Sequence, residues 1–217
     1  MEIVAGQAMA TLPIIPDAYL AIKDGVIADF GSMSSLLIQH ASHTLDASGC
    51  FVFPSFVDSH THMVFAASRE EEFVMKIRGA TYAEIAAKGG GILNSARRLQ
   101  QTTEDELFER ALTRAEEIIK TGTGAVEIKS GYGLDFENEI KLLHAIKIIN
   151  EIFPIDIVST FLGAHTFPPD FKDDHSGYVN LVIHKMIPHI AKNKLADFCD
   201  GFCESTAFTS AEIDKIF

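Results

Sequence analysis

The chain has 217 residues, of which 47% are hydrophobic and 22% are charged, and its formal net charge is −12. A chain of this length can form one domain with a full core, or one domain and a fragment of another, and its acidic charge argues against a nucleic acid or an anionic membrane as a partner. It contains no long apolar span, no secretion signal and only three cysteines, so we expect a protein of the reducing cytoplasm.

Residues 1–50 are predicted to form part of a small β domain of short strands and turns. Within Tyr19–Gly31, two apolar segments flank Asp24-Gly25, a dipeptide typical of a two-residue hairpin turn. The segment Thr44–Gly49 is expected to be the turn that closes this zone.

From residue 51 onward, apolar runs alternate with helical patterns, which favours a parallel sheet. Strands are predicted at 51–58, 124–129, 156–163 and 197–203.

Three helices are predicted between these strands. The first begins at the capping box Thr103-Glu-Asp-Glu106, and the second covers 136–152. The third covers 177–193, where Pro188 is expected to kink or split it. A further helix cap is predicted at Thr209 or Ser210. Because the sequence ends about two turns later, we expect the chain to be truncated.

The most informative motif is the apolar run that ends in Asp58-Ser-His60-Thr-His62. Side chains on a strand repeat every two residues, so both imidazoles are expected on one face, as half of a metal site. The alternative is one core histidine and one that faces solvent.

Polar groups follow each predicted strand, after 58, 129, 163 and 203. Barrel enzymes collect their chemistry at the carboxyl ends of their strands, whereas a doubly wound sheet concentrates a ligand at one switch point. The pattern therefore favours half of a (β/α)8 barrel. Gly89–Gly91 is interpreted either as a flexible active-site loop or as a simple turn.

Several segments resemble one family. Val57–His62 resembles the first-strand signature of the amidohydrolase superfamily. Together with Val64–Glu70, Glu127–Leu134 and Ser159–Pro168, it is similar to the imidazolonepropionases of histidine degradation. Gly89–Leu93 adds to this resemblance, which runs from about residue 15 to the end.

The resemblance implies a fold and a cofactor. The fold is a metal-dependent, amidohydrolase-type (β/α)8 TIM barrel, here about its first four βα units (51–217), with a remnant of a small β-sandwich domain. One zinc or iron ion is implied, held by His60, His62, a later histidine and an aspartate. Those last two residues and the catalytic glutamate are expected beyond residue 217, so weak metal binding and no activity are expected of the fragment. A homodimer is also implied.

The implied reaction is hydrolysis of the cyclic amide C–N bond of 4-imidazolone-5-propanoate, which yields N-formimidoyl-L-glutamate. By resemblance, Arg69, Tyr132 and His165 contact this small-molecule substrate. Arg69 would suit the propionate carboxylate, although an ion pair with Glu70 or Glu71 is the simpler interpretation of that residue alone. Tyr132 and His165 have structural alternatives as a packed ring and a satisfied histidine.

Other residues receive weaker interpretations. Asp58 could orient an imidazole or bond backbone amides. Lys129 needs a buried partner, for which Glu127 is the candidate. Cys199 and Cys203 are interpreted as buried thiols. The roles of Tyr82 and Glu204 are left open.

Two alternative functions remain at this point. Another amidohydrolase, such as a ring deaminase, would share the histidine pair. A non-catalytic half-barrel would instead act as an interaction module, whose open sheet edges pair with a second copy.

Overall fold

The computed structural model describes residues 4–37, 40–81, 84–85 and 88–217. The chain divides into two compact units, Met1–Val52 and Phe53–Phe217. The assignment of these units to a small β domain and to half of a barrel stays a prediction. Within the described residues, no helix is long and apolar enough to cross a membrane.

The first unit contains an antiparallel hairpin of β1 (Ala18–Lys23) and β2 (Val26–Ser32), together with 3-10 turns at Gly6–Ala10 and Met33–Ser35. Asp24 and Gly25 connect the strands with φ angles of 54° and 78°. Two consecutive positive φ angles are the mark of a type I′ turn, which matches the twist of the strands. The hairpin predicted from Asp24-Gly25 is confirmed.

The second unit contains a four-stranded parallel sheet. Its strands are β3 (Phe56–Thr61), β4 (Thr123–Lys129), β5 (Asp156–Ala164) and β6 (Phe198–Gly201), and they neighbour one another in chain order. A doubly wound sheet would reverse its order at a switch point. This unreversed order agrees with the barrel-type succession expected from the sequence.

Helices connect the strands and follow the last one. They are α1 (Glu70–Ile77), α2 (Ile92–Gln101), α3 (Glu104–Lys120), α4 (Phe136–Ile152), α5 (His175–Leu181), α6 (Ile187–Asn193) and α7 (Ser210–Ile216). A π-helical turn, Val182–Met186, joins α5 to α6, and a 3-10 turn covers Pro169–Phe171.

The predicted helix starts are confirmed where a side chain caps the backbone. Thr103 Oγ1 accepts the Glu106 N–H at 3.2 Å, and the Glu106 carboxylate accepts the Thr103 N–H at 3.2 Å. Thr209 and Glu212 repeat this capping box at α7. The predicted disturbance at Pro188 is the π-helical turn, where the Ile187 N–H bonds to the Val182 carbonyl five residues earlier. Proline cannot continue the usual helical bonding because it lacks an N–H.

The core lies between one face of the sheet and the helices. Val126 and Ile128 of β4 are 2% and 0% exposed, and they share one buried cluster with Leu107 of α3 and Leu143 and Ile146 of α4. Alternation along a strand then directs Glu127 and Lys129 to the opposite face. Because the apolar face of β4 is buried against the helices, Glu127 and Lys129 lie on its other face.

The prediction for the first strand was wrong in its bounds. The ladder of β3 starts at Phe56, whose N–H bonds to the Gly122 carbonyl at 2.9 Å, and it continues to Thr61. Pro54 lies two residues before this start, and it has no N–H to donate to a strand ladder. The sequence interpretation also missed α1 and α2, because neither begins with a side-chain cap.

Candidate active site

The paired histidines lie at the carboxyl end of β3. Their ring centroids are 5.8 Å apart, so the alternation along the strand brings both imidazoles to the same region. Thr61, between them, points the other way, and its hydroxyl donates to the Glu127 carbonyl at 2.7 Å. This bond joins the end of β3 to β4 and fixes the direction in which the histidines project. His60 is exposed, whereas His62 is half-buried.

His62 belongs to a cluster of rings contributed by three strand ends. Its centroid lies 4.8 Å from that of Tyr132, which follows β4, and 5.4 Å from that of His165, which follows β5. The two imidazoles are stacked with an interplanar angle of 5°. Tyr132 and His165 are themselves 5.5 Å apart. Residues separated by up to 103 positions in the sequence thus meet at one edge of the sheet, as parallel strands permit.

Sequence reasoning missed one ring of this cluster. Phe202, directly after β6, approaches His165 edge-to-face at 5.9 Å. It extends the cluster to the end of the fourth strand of the sheet. The sequence does contain a signal for this ring, because Phe202 is an aromatic residue beside the polar groups that follow the fourth predicted strand.

The electrostatic state of the cluster favours neutral imidazoles. Burial, with the nearby charges of His165 and His60, lowers the pKa of His62 from 6.5 to about 4. Burial also lowers the pKa of His165. A histidine must be neutral to donate a lone pair to a metal ion, and these environments keep both rings neutral near pH 7.

The histidine pair fits a metal ion as a partial donor set. His62 Nδ1 is buried and has no hydrogen-bond partner within the described part of the chain. Such an orphaned nitrogen costs free energy unless it has a ligand. No group of three or more metal-ligating side chains occurs among the described residues, so the two imidazoles offer only part of the donor set that a metal ion needs. Of the two roles considered for Asp58, the structure shows the bond to a backbone amide, since its carboxylate accepts the His60 N–H at 3.3 Å.

A network of charged side chains lies on the face of the sheet opposite the apolar core. Lys129 Nζ donates to Glu127 at 3.0 Å and to Asp200 of β6 at 2.8 Å, while the Thr160 hydroxyl donates to Glu127 at 2.6 Å. Although burial opposes it, the two carboxylates raise the pKa of Lys129, and the ammonium in turn lowers the pKa of Asp200. Glu127 is the partner expected from the sequence. Asp200 was missed, because only the fold brings β6 near β4.

Arg69 makes a different contact from those predicted. Its guanidinium donates through Nε to the Glu72 carboxylate at 2.7 Å, and both residues line a cavity of about 300 Å³ beside α1. Although burial opposes it, hydrogen bonds from Arg69 and from the Gly91 N–H lower the pKa of Glu72. The predicted pairing with Glu70 or Glu71 therefore shifts to Glu72, which lies one turn into the helix.

The Gly89–Gly91 segment is a turn that leads into α2. Gly91 has a φ of 83°, which favours glycine, and its N–H donates to Glu72 at 3.0 Å. The Gly89–Gly91 segment therefore bonds to Glu72, the same residue that bonds to Arg69. Tyr82, the weaker candidate for a site residue, lies outside the described residues.

The remaining polar candidates lie near β6. Glu204 is exposed. Cys199 is partly buried, and burial raises the pKa of its thiol to about 11, so it is not a reactive thiolate at neutral pH. The interpretation of Cys203 as buried was wrong, because β6 ends at Gly201 and Cys203 follows it on the surface.

A parallel sheet in unreversed order, with paired histidines after its first strand, fits the amidohydrolase class of enzymes. Comparison with known proteins narrows this class. The chain is 54% identical to an imidazolonepropionase of Flavobacterium johnsoniae over 98% of its own length and 52% of the relative. It is 50% identical to that of Flavobacterium psychrophilum, with the same coverage, and 42% identical to that of Thermoanaerobacter pseudethanolicus over 97% of the chain and 50% of the relative.

The predicted resemblance to the imidazolonepropionases is confirmed across nearly the whole chain. The chain spans about half the length of the curated relatives that it matches. No family model matches it.

Proposed function

We propose that this chain is part of an imidazolonepropionase, a hydrolase that opens the cyclic amide of 4-imidazolone-5-propanoate. The ring cluster of His62, Tyr132 and His165 carries the proposal. These residues lie within the motifs that resemble the family, and the fold brings them to one edge of the sheet. The name shared by the relatives supports this substrate, and it does not favour the ring-deaminase alternative.

The wider fold and assembly belong to the same proposal. We assign Phe53–Phe217 to about half of a (β/α)8 barrel and the first unit to a small β-sandwich. The parallel order of the sheet supports the first assignment. The assembly proposed from the family resemblance is a homodimer.

His60 and His62 would hold one zinc or iron ion, with further ligands proposed beyond residue 217. When bound, such an ion lowers the pKa of a water molecule towards ~7 and so supplies a nucleophile for amide hydrolysis at neutral pH. The neutral state of His62 supports this role, because no proton must leave the ring before it donates to the ion. Imidazole ligands suit zinc and iron alike.

Tyr132 and His165 would bind and orient the imidazolone ring. Both are tilted or stacked against neighbouring rings, an arrangement that presents flat apolar faces to a planar heterocycle. The His165 Nδ1 lies 2.8 Å from the Gly131 carbonyl, which favours a proton on Nδ1 and leaves Nε2 as an acceptor for a ring N–H. In this role His165 would orient the cyclic amide by a hydrogen bond and would transfer no proton.

Arg69 would bind the propionate carboxylate. A guanidinium can make two parallel hydrogen bonds to a carboxylate, and here it bonds to the carboxylate of Glu72. Substrate would therefore compete with Glu72 for the guanidinium. The cavity beside α1 would then bind the propionate of the substrate, while the ring cluster would bind its imidazolone ring.

The test is a comparison of substrates by ultraviolet absorbance, with protein expressed from its complete source gene. We expect turnover of 4-imidazolone-5-propanoate with formation of N-formimidoyl-L-glutamate, and no deamination of guanine or cytosine. Deamination of either base without imidazolone hydrolysis would contradict the proposal. The variant Tyr132→Phe, which keeps the ring and removes the hydroxyl, separates ring packing from hydrogen bonding.

A further inference from the structure

A fully buried carboxylate lies next to the ring cluster. Glu139, in the first turns of α4, has 0% of its surface exposed. Its Oε2 accepts the Gly131 N–H at 3.0 Å, and its Oε1 accepts the N–H groups of Gly133 at 2.7 Å and Leu134 at 3.1 Å. Burial raises the pKa of this carboxyl, while these donors and the Ser130 hydroxyl favour its ionised form. A buried carboxylate needs such bonds to be tolerated.

The segment Gly131–Leu134 is curved around this carboxylate. Gly131 and Leu134 have φ angles of 103° and 58°. At Gly133, an added Cβ would lie 2.4 Å from the Glu139 nitrogen, so the backbone runs directly against α4. Successive N–H groups that converge on one anion form a nest, whose shape depends on the anion.

Two of the three residues proposed to contact substrate, Tyr132 and His165, depend on this segment. Tyr132 lies between Gly131 and Gly133, whose N–H groups both bond to Glu139. The Gly131 carbonyl holds His165 Nδ1 at 2.8 Å. The Glu139 carboxylate therefore fixes the backbone on each side of Tyr132. It also fixes Gly131, whose carbonyl is the hydrogen-bond partner of His165.

We propose that Glu139 is a positioning residue whose carboxylate shapes Gly131–Leu134, so that Tyr132 and His165 face His62. Glu139 does not contact the reacting atoms, because it is completely buried. The claim that these rings contact substrate rests on the proposed function. The claim that Glu139 sets their positions does not.

The structural test uses 3-fluorotyrosine labelling and fluorine NMR, with the Tyr132 signal assigned by its loss in Tyr132→Phe. In Glu139→Gln an amide group replaces one acceptor oxygen and faces a backbone N–H, so the Tyr132 signal should shift or split. The signal of Tyr19 in the hairpin, whose hydroxyl donates to the Asp29 carboxylate at 2.7 Å, should stay in place. The control is Glu137→Gln, which alters an exposed glutamate of the same helix. A parental Tyr132 signal in folded Glu139→Gln would overturn the proposal.

A second variant covers the case in which Glu139→Gln does not fold. Ser130→Ala removes a hydroxyl that favours the ionised carboxylate and that also accepts the Leu162 N–H at 3.0 Å, and it leaves the three backbone donors. The Tyr132 signal should then shift in the same sense by a smaller amount. No shift in this variant would also overturn the proposal.

Kinetics test the consequence for substrate. Displacement of substrate-binding groups by about 1 Å can cost about 100-fold in rate, so Glu139→Gln should lower kcat/KM by about this factor, mainly through KM. Combined with Tyr132→Phe, its effect should be less than additive, because both changes act on one ring. An unchanged KM beside a shifted Tyr132 signal would overturn the positioning role. A parent protein without turnover would count against the proposed function alone, since the NMR result stands independently.

Discussion

The edge strand β3 and the central strands β4 and β5 support the candidate site in different ways. Phe56 and Val57 of β3 are 65% and 72% exposed, and the pairing of β3 with β4 shifts register twice. The pairing of β4 with β5 runs without a shift, and Ile128 is completely buried. The residues proposed to bind substrate are therefore held by the core, whereas the histidine pair lies on the edge strand of the described sheet.

The difference indicates which part of the site is preorganised. Gly131 and Gly133, on either side of Tyr132, donate to Glu139, and the Gly131 carbonyl bonds to His165 Nδ1. His60 remains exposed on β3. We therefore expect substitutions in the central strands to act on folding, and substitutions of the histidines to act on ligand binding.

The largest expected contrast is in stability. Ile128→Ala should lower the free energy of unfolding by about 2–5 kcal/mol, because it removes a fully buried side chain. Val57→Ala, on the edge strand, should cost less than about 1 kcal/mol. Urea unfolding of both variants measures the contrast. Equal losses would show that β3 is buried in solution.

The second prediction concerns metal binding. His62→Ala should weaken zinc affinity by at least about 100-fold, since even the loss of a residue that supports a ligand costs 10–100-fold. His184→Ala, which alters an exposed histidine of the π-helical turn, should have no effect. Competition with a chromogenic chelator measures the affinity. Similar losses in both variants would indicate nonspecific binding.

The third prediction concerns the guanidinium. Arg69→Met should raise KM for imidazolonepropanoate by about 10–100-fold with little change in kcat, because a charged hydrogen bond contributes about 1.5–3 kcal/mol. Arg78→Met, at the exposed end of α1, is the matched control. A parental KM in Arg69→Met would contradict the role proposed for Arg69 in binding the carboxylate.

The fourth prediction compares two lysines. Lys129→Met leaves Glu127 and Asp200 without their shared cation and should cost about 1–3 kcal/mol of stability, since its side chain is only 8% exposed. Lys120→Met breaks an exposed pair with Glu116 and should cost less than about 0.5 kcal/mol. Thermal unfolding of both variants measures the difference between the two losses of stability. Equal shifts in Tm would contradict a structural role for the buried network.

The smallest expected effect is a pH dependence. The pKa of Asp200 is lowered in the folded state, so its bond to Lys129 contributes stability above about pH 4 that is lost as the pH falls through the folded pKa. Lys129 stays charged in this range because its pKa is raised. Asp200 is 44% exposed, so the effect should be below about 1 kcal/mol. Unfolding between pH 5 and 3 should be less pH-dependent in Asp200→Asn than in the parent, and identical slopes would refute this.

Local signals explain which elements could be predicted. The Asp24-Gly25 turn, the Thr103 capping box and the spacing of apolar residues in 136–152 each act within a few residues, and the structure confirms all three. The start of β3 was misplaced because an apolar run does not reveal where a ladder partner begins. Helices α1 and α2 were missed because they lack capping side chains.

The candidate site was predictable where its residues are adjacent in sequence or match a family motif. The contacts of Lys129 with Asp200, and of Glu139 with Gly131, join separate elements, and no spacing rule predicts them. The exposure of Cys203 likewise depends on where β6 ends. These features follow from tertiary packing, which short-range patterns do not contain.

The most direct test of the proposed site is metal-dependent turnover of 4-imidazolone-5-propanoate by protein expressed from the complete source gene. The proposal predicts hydrolysis that a chelator abolishes and that zinc or iron restores in the parent but not in His62→Ala. Full turnover after complete removal of metal, or equal restoration in His62→Ala, would contradict the assignment of the histidine pair and the function built on it.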